Sequence, residues 1–394
     1  MRVMLLVTDL QLGGTPLRIA RLARGLRDAA LDVQVACLAP AGPVSGELES
    51  AGIATFACNA RHAGDLAALQ RLARHVQSIK PDLIHATLTH ANVAARLVGL
   101  ACRIPVLTST ATIELERRWH LWMERLTARL DRGHIVNSRA LADHVAHAFC
   151  LPHRRIHVVP PSIAAVPRRM DRGQARQRLG IAEHEFVTLW VGRFDPVKRL
   201  DIAIGCAEVM NVVPSRLLLA GDGPQRPAVE QMVRLSTASR NIQLLGWQTD
   251  LGPLMSAADA FLFPSLTEGM PNAVLQAMAF GLPIVGSDIP ALRELAGVVP
   301  GGTAVPALSV AEGSAVHWSE ASGAPRLLLI ERSEPKAYAD TLLGLRDDPE
   351  RARALGARAA AWARQRLDPQ KTIRVLIEVY ERVLERRGPR PSRA

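Results

Sequence analysis

Arg193 and Lys198 stand close together in the stretch Val191-Gly192-Arg193-Phe194-Asp195-Pro196-Val197-Lys198-Arg199. Arg193 offers a rigid fork of donors and Lys198 a point charge, a combination suited to a diphosphate. A second stretch, Leu217 to Pro224 (LLLAGDGP), runs from an apolar strand through Gly221 and Gly223 toward a helix. A third, Phe261 to Asp288 (FLFPSLTEGMPNAVLQAMAFGLPIVGSD), reads as strand, acidic Gly-containing loop, helix and strand, with Glu268 in the loop. Pro271 suits the first turn of that helix and Gly281 the position past its end. From Ala273 to Phe280 the helix is apolar nearly all round, so it is expected to be buried. Only Asn272 and Gln276 break its surface, and at a spacing of four they share one face. Free N–H groups at such a helix start suit an anion. An ordinary strand–helix–strand unit with a tolerated polar pair has the same pattern.

These loops need elements to hold them. Arg2 to Thr8 predicts a strand, Leu17 to Leu26 a helix and Val33 to Leu38 a second strand, with Gly13-Gly14 in the first loop. Those glycines could admit a ligand to the backbone or merely permit a turn. Further on come helix Leu66 to Ile79, strand Asp82 to Ala86, helix His90 to Ala101 and strand Pro105 to Ser109. His85 and His90 fall at or beyond a strand's C-terminal end, where open α/β sheets bind ligands, although a structural role is the plainer expectation. Glu114 to Arg132 mixes Trp119, Trp122, Met123, Leu126 and Leu130 with several arginines. Such a helix could lie on an anionic membrane. Packing its apolar face on the sheet is the favoured reading. Strands follow at His134 to Val136 and Ile156 to Val159, around a helix from Ser138. Pro160 to Arg176 is polar, Pro-containing and basic, the best linker. The alternation then restarts: strand Phe186 to Val191, helix Leu200 to Val209, strand Ser215 to Ala220, helix Pro227 to Leu235 and strand Ile242 to Leu245. Val298 to Glu334 reads as irregular. Helices resume at Pro335 to Leu345, Pro349 to Arg364 and Thr372 to Arg386. The whole is α/β, with two parallel-sheet domains.

The chain has 394 residues, more than one hydrophobic core usually serves. Hydrophobic content of 48% and a mean hydropathy of +0.09 suit a globular protein without a membrane span. The start, MRVMLLVTDLQLGG, reads as a first strand and not a signal peptide. Cys37, Cys58, Cys102, Cys150 and Cys206 have no paired spacing, which suits a reducing compartment and not structural zinc. The net charge is +11, and only four of the 48 basic residues are Lys. That charge could serve phosphorylated small molecules or anionic lipid, although a solvated basic surface is the favoured reading. Nucleic acid fits poorly, because aromatics are 4% and the arginines are spread along helices. A dinucleotide-dependent dehydrogenase fits poorly too. Arg226 stands where the third fingerprint glycine belongs, and no acid closes the strand Ile242 to Leu245.

In order and spacing, VGRFDPVK, LLLAGDGP and PSLTEGMPNAVLQAMAFGLPIVGSD together resemble the nucleotide-sugar domain of the family-four glycosyltransferases. The strand-then-Gly-Gly start and the PDLIHA segment are similar to that family's first domain. The resemblance implies a GT-B fold: two Rossmann-like parallel-sheet domains facing a cleft. They would span 1–165, on the acceptor side, and 166–370, on the nucleotide-sugar side. A helix over 371–388 would cross back to the first domain, ahead of a disordered tail, 389–394. It implies a hexosyltransferase of polysaccharide biosynthesis, retaining and metal-independent, moving a sugar from a nucleotide-diphosphate donor to a glycan or lipid-linked acceptor. No cofactor is implied beyond that co-substrate. The place implied is the cytoplasm, with peripheral contact at an anionic inner membrane face through the basic surface.

Residue by residue, the resemblance implies that Arg193 and Lys198 grip the donor diphosphate and offset charge on the leaving nucleotide. Glu268 would touch the donor sugar. The backbone of Gly269, Met270, Pro271 and Asn272 would face phosphate, Gln276 a ribose hydroxyl. Gly192, Gly221 and Gly223 would line the donor site, Glu294 would be the acid of a later motif, and Gly13 and Gly14 would approach the donor from the other domain. The chain departs from the pattern in five places. Gln276 replaces the second acid of a glutamate pair. Ala111 or Thr112 stands where a histidine is usual. Pro161-Ser162 replaces an Asn-Gly, and Pro290-Ala291 a Gly-Gly. An extra stretch runs from about Pro306 to Leu327. The departures at Ala111 and Gln276 are the evidence for an alternative, a degenerate non-catalytic protein that binds nucleotide or a partner.

Overall fold

A computed structural model describes residues 1–112, 118–161, 166–297, 305–306, 317–318, 326–331 and 333–385. It divides into two compact units, Met1–Ala164 with Leu367–Ala394, and Ala165–Arg366.

The first unit begins with β1 (Arg2–Val7), α1 (Gly14–Asp28), β2 (Asp32–Cys37), α2 (Pro43–Ser50), β3 (Ala54–Ala57), α3 (Leu66–Ile79) and β4 (Leu83–Thr87). It continues through α4 (Thr89–Cys102), β5 (Val106–Thr110), α5 (Arg118–Thr127), β6 (Gly133–Val136), α6 (Arg139–Ala148) and β7 (Ile156–Val158). The strands form one parallel sheet in the order β3-β2-β1-β4-β5-β6-β7. β1 is apolar on both faces because both are covered. Val3, Leu5 and Val7 pack toward Ile19, Ala23 and Leu26 of α1, while Met4 and Leu6 pack toward Leu72 of α3 and Ala95 of α4. Side chains cap the helices where the sequence allows, with Asp65 Oδ1 accepting from Ala68 N at 3.1 Å and Ser138 Oγ from Leu141 N at 3.1 Å.

The second unit holds α7 (Arg172–Leu179), β8 (Phe186–Val191), α8 (Leu200–Met210), β9 (Ser215–Ala220), α9 (Arg226–Leu235), β10 (Ile242–Gly246), α10 (Gly252–Ala257) and β11 (Ala260–Phe263). Then come α11 (Asn272–Phe280), β12 (Ile284–Ser287), α12 (Pro290–Ala296), the two-residue pair β13 (Val305–Pro306) and β14 (His317–Trp318), β15 (Leu328–Ile330), α13 (Pro335–Asp347) and α14 (Pro349–Arg366). Its parallel sheet has the order β10-β9-β8-β11-β12-β15. Trp190, Leu217, Leu219, Leu262 and Val285 pack with Ile202, Ala203, Tyr338 and Leu342 from α8 and α13.

The last helix, α15 (Pro369–Glu385), belongs to the first unit. Leu376, Val379, Tyr380 and Val383 share the cluster of Val3, Leu5 and Val7. A Cβ on Gly25 of α1 would lie 2.7 Å from Ile373, so that glycine lets the two helices approach.

Several expectations need correction. Arg172 onward is not linker but α7, and buried Arg176 donates to Ala257 O at 3.2 Å and to Asp259 Oδ2 at 2.7 Å. The segment read as irregular contains β15, which closes the sheet edge on β12; a three-residue apolar run carries too little pattern to identify. Elements α2, β3 and α10 are short and were not legible either. Ser162, the boundary at 165, most of the extra stretch and the tail 389–394 lie outside the described residues.

His85 packs in the core, in line with the plainer expectation of a structural role. It is buried within β4, and its Nδ1 lies 2.6 Å from the Tyr380 hydroxyl of α15. Burial, with Arg18 adding like charge, pushes its pKa down to about 3. The imidazole is therefore neutral in the fold, whereas the unfolded chain takes up a proton near pH 6.5. The folded state binds fewer protons throughout that window. Stability is full above pH 6.5 and declines as pH falls toward 3. Buried His134, also lowered, adds in the same sense. The melting temperature is expected to fall between pH 6.5 and 5, and His85→Gln to flatten that decline. A variant as steep as the parent would remove His85 from the account.

Candidate functional site

In both sheets the strand order reverses beside the first strand, between β1 and β4 and between β8 and β11. Ligands of open α/β sheets bind outside the C-terminal ends of strands at such points. In the second unit, Arg193 and Lys198 follow β8, and Glu268 follows β11. The Lys198 ammonium is ion-paired with Glu268 Oε1. Their side chains are only 18% and 8% exposed, so the pair is poorly screened by water. Lys198 Nζ also lies 5.4 Å from the centre of the Phe263 ring, and Leu266 N donates to Val197 O at 2.8 Å, tying the two loops together. A short 3₁₀ turn, Pro196–Lys198, aims the lysine, and Arg199 ends it at φ 51°.

Arg193 is 64% exposed, its Nε 3.0 Å from Asp195 Oδ2. It therefore remains open to an anion from solvent.

Gly221 and Gly223 do not act as a dinucleotide fingerprint. A Cβ on Gly221 would lie 1.8 Å from Gly192 O, and one on Gly223 would lie 2.7 Å from Phe194 N and O. The glycines let the β9 loop lie directly on the β8 loop. Phe194 N then donates to Asp222 O at 2.9 Å and Gln225 N to Phe194 O at 3.0 Å. Arg226, standing at the missing third glycine, pairs with Asp222 at 2.9 Å and Glu230 at 2.8 Å, bracing the start of α9.

Pro271 is the N-cap of α11, one place before the expected first turn, and no side chain caps that end. Gly269 and Pro271 are buried, Met270 is half-buried and Asn272 exposed. Gln276 is half-buried between fully buried Leu275 and Ala277, at the margin of the core. Glu294 is half-buried on α12, next to Arg293, which holds Asp288 through two bonds at 2.5 and 2.7 Å. In the first unit, Gly13 caps α1 at φ 175°, an extended value open to any residue, and a Cβ on Gly14 would meet nothing within 4 Å. Neither position takes the left-handed conformation that requires a glycine. Ala111, which with Thr112 stands near the place of the usual histidine, accepts through its carbonyl from Asn137 Nδ2 at 3.0 Å. His90 is half-buried in the first turn of α4, with its ring centre 5.4 Å from that of Trp119.

Sequence reasoning missed Phe263, Ser265 and Asp195. Ser265 is fully buried, and its carbonyl accepts from the Ser287 hydroxyl, joining the β11 and β12 ends. Its place three residues before Glu268 was the available signal.

Comparison with known proteins bears on the whole arrangement. The family model "Glycosyl transferases group 1" matches residues 185–348, and "Glycosyl transferase 4-like domain" matches residues 13–162. The chain is 26% identical over 292 residues to the UDP-Gal:alpha-D-GlcNAc-diphosphoundecaprenol alpha-1,3-galactosyltransferase of Escherichia coli, covering 66% of this chain and 72% of that one. It is 28% identical over 273 residues to the D-inositol 3-phosphate glycosyltransferase of Thermobispora bispora, covering 64% of this chain and 56% of the relative. Among solved structures, Anabaena HepE in complex with UDP and glucose superposes at a TM-score of 0.79 with 20% identity, over 97% of this chain and 99% of that one. Sucrose-phosphate synthase from Thermosynechococcus elongatus gives 0.75 with 18% identity, over 98% and 100%. The structural likenesses show the fold. With both family models in place over the two sheets, the chain belongs to the group 1, family-four type of GT-B glycosyltransferases.

Proposed function

We propose that the protein transfers a sugar from a nucleotide-diphosphate donor to a glycan or lipid-linked acceptor, with retention and without a metal or other cofactor. The observation that carries this reading is the Lys198–Glu268 pair at the reversal of the second sheet, beside exposed Arg193. The two cations take up charge as the bond from the sugar's anomeric carbon to the diphosphate oxygen breaks. The acceptor oxygen bonds to that carbon on the face just vacated, and its proton passes to the departing phosphate. Glu268 holds Lys198 in place and accepts from the donor sugar. The named relatives include one acting on a diphosphoundecaprenol substrate and a neighbour bound to UDP, which supports a nucleotide donor and an acceptor on a lipid carrier.

Incubation with a panel of nucleotide sugars, with and without a polyprenyl-diphosphate sugar, tests the reading. Transfer that persists in chelator, and a product retaining the donor's anomeric configuration by NMR, are expected. Nucleotide binding without turnover of any donor would favour the degenerate alternative, for which Ala111 and Gln276 are the specific observations.

Gln276→Glu is expected to keep activity and tighten the free nucleotide by about tenfold or less. A carboxylate accepts from two ribose hydroxyls, where the amide accepts with one atom only. The gain is one charge-assisted bond over a neutral one. Calorimetric titration with parallel melting curves checks this. Weaker affinity with a lower melting temperature would place Gln276 in the core instead.

A further inference from the structure

A cavity of about 510 Å³ opens in the second unit at the N-terminal ends of β8, β11 and β12. Lys198 and Glu268 stand beyond the opposite, C-terminal ends of β8 and β11, and the six residues of β8 put about 20 Å between the two places. The cavity floor is apolar, made by Phe186, Met255, Phe280, Leu282 and Leu345. Four arginines stand round it: Arg169, Arg172, Arg346 and Arg353. Among the described residues one acid lines it, Asp259, and that acid is already engaged. Its Oδ1 is ion-paired with Arg172, and its Oδ2 accepts from Arg176 at 2.7 Å and from Val187 N at 2.8 Å. Arg346 pairs with Asp347 at 3.0 Å. The other two arginines have no carboxylate partner among the described residues. Arg169 lies 4.4 Å from the centre of the Phe280 ring and donates to Phe280 O, at the end of α11. Arg353 donates through Nε to Pro349 O at 3.1 Å.

We propose that this cavity is a second ligand site, separate from the donor site, for a small phosphate ester carried on an aromatic or other apolar body. Its volume falls within the range of about 300–1,000 Å³ usual for small-molecule sites, which are likewise apolar with a few placed polar groups. Guanidinium forks match phosphate oxygens in pairs. A phosphate ester carries about −1.5 to −2 near neutral pH, which answers the two uncompensated arginines better than a single carboxylate does. The stacked Arg169 and Phe280 offer a flat platform to a ring. A bare inorganic anion would meet the cations and leave the apolar floor in water. A neutral apolar molecule would cover the floor and leave two guanidinium groups without counter-charge. Helix α11 joins the two places, running from Asn272 behind the Glu268 loop to Phe280 in the cavity floor.

Calorimetric titration of the full chain with 1-naphthyl phosphate, 1-naphthol and inorganic phosphate tests this. 1-Naphthyl phosphate is expected to bind at least tenfold more tightly than either of the others, and more weakly as salt is raised. Arg346→Ala with Arg353→Ala is expected to weaken that binding tenfold or more. Both side chains lie on the rim of the cavity, and melting curves confirm that the variant folds. Lys198→Ala, which alters the donor site alone, is expected to leave the affinity for 1-naphthyl phosphate unchanged. Binding of 1-naphthyl phosphate no tighter than that of inorganic phosphate would overturn the proposal. So would full affinity in the folded arginine variant. Loss of affinity in Lys198→Ala would assign the probe to the donor site and overturn it as well.

Discussion

Lys198→Ala is expected to lower kcat/KM for sugar transfer by about 10²–10³-fold, the cost of removing one pre-positioned charge from a developing anion. The expectation follows from placement. Lys198 is largely buried at the reversal of the sheet and held by Glu268, so its charge acts in a poorly screened setting. Most of the loss should fall on kcat, because a charge on the leaving diphosphate grows as the bond breaks. Arg193→Ala should cost less, on the order of tenfold, because Arg193 is solvated and shared with Asp195. A double-mutant cycle with Glu268→Gln separates direct action from positioning. If Glu268 positions the lysine, the two losses are strongly non-additive. Melting curves guard against misfolding, since Lys198→Ala leaves the Glu268 carboxylate without its partner. Transfer by Lys198→Ala within threefold of the parent would end the diphosphate role.

Arg96→Met is expected to destabilise the first unit by about 3–5 kcal/mol, the usual loss when one partner of a buried ion pair is removed. Arg96 is wholly buried and donates to Glu124, Asp131, Thr108 and Thr127. Without it, two carboxylates sit inside the protein with Arg155 the remaining cation on Asp131, at 3.1 Å. Burial already pushes the Asp131 carboxyl up, against the opposing pull of Arg96. For a unit of this size the loss corresponds to a fall in melting temperature of roughly 6–20 °C. Scanning calorimetry can follow the two units' transitions. Adding Glu124→Gln and Asp131→Asn removes the stranded charges and should recover part of the loss. A fall of less than about 2 °C in the single variant would show that the network is dispensable.

Much of this architecture was readable in the chain. Phe186 to Val191 and Ser215 to Ala220 are strands with the bounds their apolar runs suggest, and Leu66 to Ile79 is a helix with its own Asp65 cap. Local patterns of this kind report local structure, because a strand buried on both faces must be continuously apolar and an amphipathic helix must repeat near 3.6 residues. The same reasoning located the cations after β8 and the acid after β11.

Tertiary structure decided what those residues meet. Lys198 and Glu268 lie 70 positions apart, and only the β8–β11 pairing makes them an ion pair. Gly221 and Gly223 mimic only the start of a dinucleotide fingerprint in the sequence; the fold shows that they also let their loop lie against Gly192 and Phe194 of the adjacent one. His85 stood near a strand end, and Tyr380, 295 residues later, made it a core residue. α5 is the sharpest case, with Trp119, Trp122 and Leu126 exposed and His120 and Glu124 buried. Its sequence offers one apolar face and one polar face, and hydrophobicity alone chooses the apolar one for the core. Arg96, on another helix, reversed the choice by offering buried acids a partner. Periodicity fixes how a helix divides its residues between two faces; which face turns inward depends on the charges and shapes that the fold brings against it, and those come from distant parts of the chain.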